Sequence, residues 1–254
     1  MIGAFAHLLV AYMVLLMPWI GRFKYRKLED CLAAGIPDAR LRFYRLSAAQ
    51  QALLVGVVLL YARLAALPWH VLGLAAPYSW AAARALLITF AIAIGFSIVL
   101  FRRTGDRFLR RLLKMAGALI PRMPRERVWF AGLSLGAGVS EELLFRGFLL
   151  WYLSFFFPQL NRVQLIVLSS LLFGFCHVYQ GWMGIVGTSV MGAVFAWLYF
   201  STRSLFVPMA VHALVDLRLL AILTPGRIAS LRRPHRPKGN GPKLEQAGPS
   251  VCSG

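Results

Sequence analysis

Three ionisable side chains, Glu141, Glu142 and Arg146, stand in a stretch from residue 128 to residue 157 that is otherwise uncharged. A stretch this apolar is long enough to cross a membrane. An ionisable group there costs about 2.5–3.5 kcal/mol on insertion scales, so such residues usually serve a function. Two adjacent carboxylates suit general-base chemistry, because mutual repulsion and low polarity both favour proton uptake near neutral pH.

Further polar residues lie in later apolar stretches. His177 follows Phe173 by four residues, and His212 precedes Asp216 by four residues. A spacing of four places both members of a pair on one face of a helix. We therefore expect Asp216 to accept a hydrogen bond from His212 and to orient its imidazole.

The same spacing relates Glu142 to Arg146, which predicts an ion pair within one helix. Arg146 then serves as the counter-ion of Glu142. Glu141 is rotated about 100° from Glu142 around the helix axis. Its carboxylate is therefore free for another role, such as activating a water molecule.

The composition is that of a membrane protein, since 59% of the 254 residues are hydrophobic and 15% are charged. The net charge of +19 comes mainly from residues between and after the apolar runs, where cations flank membrane spans, which argues against a nucleic-acid partner. The three cysteines are far apart and form no disulfide or metal-binding pattern.

The predicted fold is an all-α polytopic membrane helical bundle of about seven transmembrane helices. Basic residues lie mainly between the first and second runs, between the third and fourth runs, and after the last run, which predicts an external N-terminus and a cytoplasmic C-terminus. Seven apolar runs carry this prediction, at residues 2–20, 47–67, 80–101, 128–157, 163–178, 182–200 and 204–223.

The charge distribution divides the chain into three parts. Residues 1–127 hold about three spans and two basic cytoplasmic loops, residues 128–223 form the core that carries the ionisable groups, and residues 224–254 form a basic, disordered tail. Residues 108–120 have the pattern of an amphipathic helix on the cytoplasmic leaflet.

Small residues within the core predict close helix contacts. Gly132 and Gly136 are four residues apart, and a second stripe at the same spacing contains Gly184, Thr188, Gly192 and Ala196. The fourth run is too long for an upright span, so it must tilt or break, and we expect the break near Gly136 and Gly138.

The three motifs together resemble those of the CPBP family of intramembrane glutamic endopeptidases, which includes CAAX prenyl proteases and bacteriocin-processing and immunity proteins. The motifs are Glu-Glu-x-x-x-Arg at 141–146, Phe-x-x-x-His at 173–177 and His-x-x-x-Asp at 212–216. The resemblance covers about residues 128–220 and implies a protease that cleaves a peptide bond without a metal or other cofactor.

The resemblance implies a role for each matching position. Glu141 would activate a water with the help of His177, and His212 and Asp216 would stabilise the oxyanion. Glu142, Arg146 and Phe173 would support the site. Asn occupies the last position in the prenyl-protease branch, so Asp216 either is protonated or only orients His212, because an ionised carboxylate cannot donate a hydrogen bond.

Two other functions use the same residues. Carboxylates and histidines also bind zinc or iron, so a metal held by Glu141, His177 and His212 would make the protein a metalloprotease, although His-Glu-x-x-His is absent. Intramembrane carboxylates and histidines also occur in proton-coupled transporters, and bacteriocin immunity can rest on binding without turnover. The ionisable groups cluster in the C-terminal half without an inverted repeat, which argues against a transporter.

The predicted partners are the lipid bilayer and a membrane-associated protein or peptide substrate. Prenylated cysteine peptides, leader peptides and C-terminal membrane anchors all remain open as substrates. The Arg- and Ala-rich composition predicts a bacterial inner membrane as the location.

Overall fold

The computed structural model describes residues 2–104, 106, 109, 110, 113 and 117–232, and its regular elements there are all helices. In chain order these are α1 (Ile2–Ala11), α2 (Met17–Ala33), α3 (Ala39–Leu64), α4 (Trp80–Thr104), α5 (Pro124–Glu142), α6 (Leu150–Phe156), α7 (Arg162–Phe175), α8 (Gly181–Thr202), α9 (Phe206–Ile222) and α10 (Pro225–Arg232). Two π-helical segments, Tyr12–Leu16 and Leu143–Leu149, join α1 to α2 and α5 to α6.

The protein is an integral membrane protein with an all-α bundle, as predicted. Five helical stretches are long and apolar enough to cross a bilayer: Gly3–Ala33, Ala39–Leu64, Trp80–Arg103, Pro124–Phe156 and Val178–Thr202. Many of their large apolar side chains are exposed on the outside of the bundle, where lipid would cover them, including Leu53, Leu60, Ile88, Ile92 and Phe96.

Two of the seven predicted spans are shorter than expected. Helix α7 has 14 residues, or about 21 Å at 1.5 Å per residue, against a hydrocarbon layer about 30 Å thick. Helix α9 reaches spanning length only together with α10, and the two helices are bent by 67° where they meet. The described part of the chain therefore has five or six spans by length and composition.

The basic segments also differ from the prediction. The first one is mostly helical rather than a loop, because α2 continues to Ala33 and α3 begins at Ala39. The predicted tail begins with α10, whose Ile228 and Leu231 are buried against the end of α9. Residues 233–254, and most of the predicted amphipathic segment 108–120, lie outside the described residues.

The expected break at Gly136 and Gly138 is wrong, because α5 runs unbroken through both glycines to Glu142. The irregularity comes after the glutamates, in the π-helical segment Leu143–Leu149, which is buried throughout. Gly138 instead permits a close helix crossing, since a Cβ atom there would lie 2.7 Å from the backbone oxygen of Met209 on α9. Gly132 has no neighbour within 4 Å of such an atom, so it is not the predicted helix contact.

Candidate active site

One carboxylate oxygen of Glu142 connects the polar groups of the bundle. Its Oε1 atom accepts from Arg146 Nη1 at 3.1 Å and lies 2.8 Å from Nδ1 of His212. Glu142 and Arg146 are completely buried, so each ionised group depends on the other for its stability. The predicted pair within the helix is therefore present, and it is extended to α9 through His212.

Arg146 is held on its other side by α8. Its Nη2 atom donates to the backbone oxygen of Gly192 at 2.8 Å, and its guanidinium lies 4.6 Å from the ring centroid of Phe173 and 5.5 Å from that of Phe195. A Cβ atom at Gly192 would lie 3.2 Å from the same Nη2 atom. The glycine of the second predicted stripe thus lets α8 approach the ion pair.

His212 is oriented by Glu142 and not by Asp216, which corrects the expected hydrogen bond within α9. Its Nε2 atom lies 3.9 Å from Asp216 Oδ2, beyond hydrogen-bonding distance. The same Nε2 atom lies 3.9 Å from Glu141 Oε2. Phe195 stacks on the imidazole at 4.6 Å between ring centroids. The ring is thus fixed through Nδ1 and by stacking, while Nε2 faces two carboxylates.

His177 follows the end of α7 and is oriented by its own turn. Its Nδ1 atom lies 2.8 Å from the backbone oxygen of Phe173. Because a carbonyl oxygen can only accept, Nδ1 must carry a hydrogen, and Nε2 of the neutral ring is then an acceptor. Phe173 thus contributes its carbonyl to His177 and its ring to Arg146, which explains why it precedes His177 by one helical turn.

Four predicted residues, Glu141, His177, His212 and Asp216, line one cavity of about 580 Å³. Glu142 and Arg146 are completely buried and do not line this cavity. Glu141 Oε2 is buried but has no hydrogen-bond partner among the described residues. The Glu141 side chain as a whole is 22% exposed and lines the cavity, so a molecule in the cavity can reach its carboxylate. No group of three or more His, Cys, Asp or Glu side chains within the described ranges has the arrangement of a metal site.

Several residues of the site were not predicted. Phe195 stacks on His212, and in sequence it is one of many apolar residues of α8, so no signal distinguishes it. Lys24 and Gln51, from α2 and α3, line the same cavity as Glu141. In the sequence, Lys24 is one of several basic residues between the first two apolar runs. The rule that basic residues lie in cytoplasmic segments assigned all of them to a loop.

The segment that carries these residues matches a known protein family. Residues 124–218 match the family model of type II CAAX prenyl endopeptidase Rce1-like proteins. The match begins at the first residue of α5 and includes all three motifs, and it confirms the predicted resemblance to the CPBP and CAAX proteases. This segment is thus similar to type II CAAX prenyl endopeptidases. No curated protein and no solved structure matches the chain.

Proposed function

We propose that the protein hydrolyses a peptide bond of a membrane-associated protein or peptide with a water activated by Glu141, and that the reaction needs no metal. The observation that carries this proposal is the unpartnered Oε2 atom of Glu141, which lies 3.9 Å from Nε2 of His212 in a shared cavity. A base needs a free oxygen within reach of a water, and a cavity with few waters strengthens its interactions.

The base acts in the first half of the reaction. Glu141 removes a proton from a water that also donates to Nε2 of His177, and the water oxygen attacks the substrate carbonyl. The carbon–oxygen double bond opens to a tetrahedral oxyanion. When the carbon–nitrogen bond breaks, the proton held by Glu141 passes to the leaving amine. The carboxylate is then regenerated, and the site can accept a second substrate.

The oxyanion needs hydrogen-bond donors, and His212 is in position to supply one. Its Nδ1 atom donates to Glu142, so its Nε2 atom donates only when the ring carries both protons. Two ionised carboxylates, Glu141 and Glu142, then balance two cations, Arg146 and doubly protonated His212. This net neutrality favours the charged forms in a site of low polarity.

Asp216 completes this arrangement as a protonated acid. Its Oδ2 atom lies 3.9 Å from His212 Nε2, so both groups face the same part of the cavity. A protonated carboxyl group donates a hydrogen bond, which an ionised one cannot do. We therefore assign Asp216 the role of a second donor to the oxyanion.

The proposal is tested by identifying the N- and C-terminal ends of the proteins in two membrane preparations. One preparation contains the wild-type chain and the other contains Glu141→Gln. We expect intact substrates to accumulate in the variant, since the amide cannot accept the proton. Glu29→Gln, at an exposed carboxylate of α2, is the matched control and should process normally. Normal processing by Glu141→Gln would exclude the glutamate mechanism.

A second measurement tests metal independence. Wild-type cleavage should persist after treatment with a strong zinc chelator, because no step requires a metal ion. Activity that is lost on chelation and restored by zinc would instead make Glu141, His177 and His212 metal ligands.

A further inference from the structure

A second pocket, of about 330 Å³, lies between α2 and the turn that precedes α8. Its lining on the α2 side follows the spacing of one helix face and consists of Arg22, Tyr25, Arg26 and Glu29. The turn supplies Tyr179 and Gln180 to the opposite wall. Neither arginine lines the cavity that contains Glu141, so the two cations belong to a separate site.

The two arginines of this pocket are not neutralised by their surroundings. Within the described part of the chain, neither Arg22 nor Arg26 has a hydrogen bond or an ion pair. Glu29 is the acidic residue of the described lining, and it interacts with the side chain of Tyr25. The pocket therefore carries an excess of positive charge. A guanidinium donates paired N–H groups to phosphate oxygens, so two of them on one helix face suit a phosphate group.

The pocket lies at the level where two apolar stretches end. Arg22 follows the apolar run 2–20, and Trp182 begins the run 182–200 directly after the turn. Trp19 and Trp182 are exposed on either side of the pocket in the sequence. Exposed tryptophans are typical of the boundary between the hydrocarbon layer and water. The arginines are thus placed at the depth of lipid headgroups.

We propose that Arg22 and Arg26 form a binding site for the phosphate group of an anionic phospholipid. The inference goes beyond the proposed hydrolysis, and its test requires no cleavage. Basic pockets between membrane helices attract anionic headgroups. A phospholipid fits better than a soluble anion, because its acyl chains can cover the exposed apolar side chains that precede Arg22, such as Leu15 and Trp19.

A lipid in this pocket would stabilise the turn that follows His177. The ring centroid of Tyr179 lies 5.2 Å from that of Tyr25 on α2 and 5.8 Å from that of His177. Tyr25 and Tyr179 line both this pocket and the cavity that contains Glu141. A phosphate bound beside these rings holds α2 against the turn. Because the lipid binds the folded chain, it should raise the temperature of unfolding.

The experiment measures the binding of dioctanoyl phosphatidylglycerol and dioctanoyl phosphatidylcholine to the purified full-length protein in a neutral detergent. Both lipids contain phosphate, but only the first has a net negative charge. We expect the wild-type chain to bind phosphatidylglycerol about tenfold more tightly, as charge-assisted hydrogen bonds would give, and to unfold at a higher temperature in its presence. The double variant Arg22→Gln/Arg26→Gln should lose both effects. The matched control Lys27→Gln/Arg103→Gln removes two exposed cations outside the pocket and should behave as wild type.

Equal affinity of the wild-type chain for the two lipids, or a preference that survives in the double variant, would overturn the proposal. A control that loses the preference to the same extent would also overturn it, because net charge alone would then explain the binding. Glycerophosphate that binds as tightly as the lipid would assign the arginines to a soluble phosphate and contradict a lipid site. If the double variant does not fold, Arg22→Gln and Arg26→Gln are measured singly, and each should reduce the preference.

Discussion

His212 donates from Nδ1 to Oε1 of Glu142 over 2.8 Å, and this contact joins α9 to α5. The same oxygen also accepts from Arg146, which in turn donates to Gly192 on α8. One buried carboxylate thus fixes three helices and orients the imidazole to which we assign the oxyanion. Glu141, the preceding residue on α5, has no hydrogen-bond partner at Oε2 among the described residues.

Arg146→Ala should strongly destabilise the protein. The substitution leaves the completely buried Glu142 without its cation, and breaking such a pair costs about 3–5 kcal/mol. We expect a lower free energy of unfolding in detergent and less protein in membranes. Arg84→Ala, at an exposed position on α4, is the control. Equal stability of the two variants would show that the buried pair contributes nothing to the fold.

Gly138→Ala should reduce both stability and activity. The added Cβ atom would meet the backbone oxygen of Met209 at 2.7 Å, so α9 must move away from α5 and carry His212 away from Glu142. Overpacking of this kind costs about 1–3 kcal/mol. The matched control is Gly132→Ala on the same helix, where the new atom meets nothing within 4 Å. Thermal unfolding and cleavage rates measured for both variants should differ, and indistinguishable values would contradict the close crossing at Gly138.

Asp216→Asn should retain most of the activity. An amide can donate to the oxyanion as the protonated acid does, and the hydrogen bond that orients His212 comes from Glu142. Asp216→Ala removes the donor and should lower the cleavage rate by about 10²-fold. Rates of both variants on one substrate check this prediction. Complete loss of activity in Asp216→Asn would mean that a negative charge is required at this position.

The ion pair within one helix could be predicted from the sequence. The spacing of Glu142 and Arg146 predicts their ion pair, because a separation of four residues fixes their relative positions. The all-α bundle followed from the apolar runs for the same reason, since membrane spans are defined by length and hydropathy along the chain. The three motifs taken together also predicted that Glu141, His177, His212 and Asp216 would lie near one another, and all four line one cavity.

Contacts between helices could not be predicted in this way. The spacing of His212 and Asp216 suggested a hydrogen bond, but Glu142 from another helix occupies Nδ1. The contact between His212 and Glu142 depends on the close approach of α5 and α9 at Gly138, and no local sequence pattern specifies that approach. Lys24 was overlooked because a cation beside an apolar run is usually exposed at the interface, and only the packing of α2 and α3 places it in the cavity.

The most direct test of the mechanism is the rate at which purified Glu141→Gln, reconstituted in lipid vesicles, cleaves a membrane peptide that the wild-type protein cleaves. Removing a general base typically lowers a rate by about 10²–10⁴-fold. We predict a loss of this size in a variant that remains folded, because Glu141 Oε2 has no hydrogen-bond partner among the described residues whose loss would disrupt the fold. Cleavage at the wild-type rate by the folded variant would contradict the assignment of Glu141 as the base.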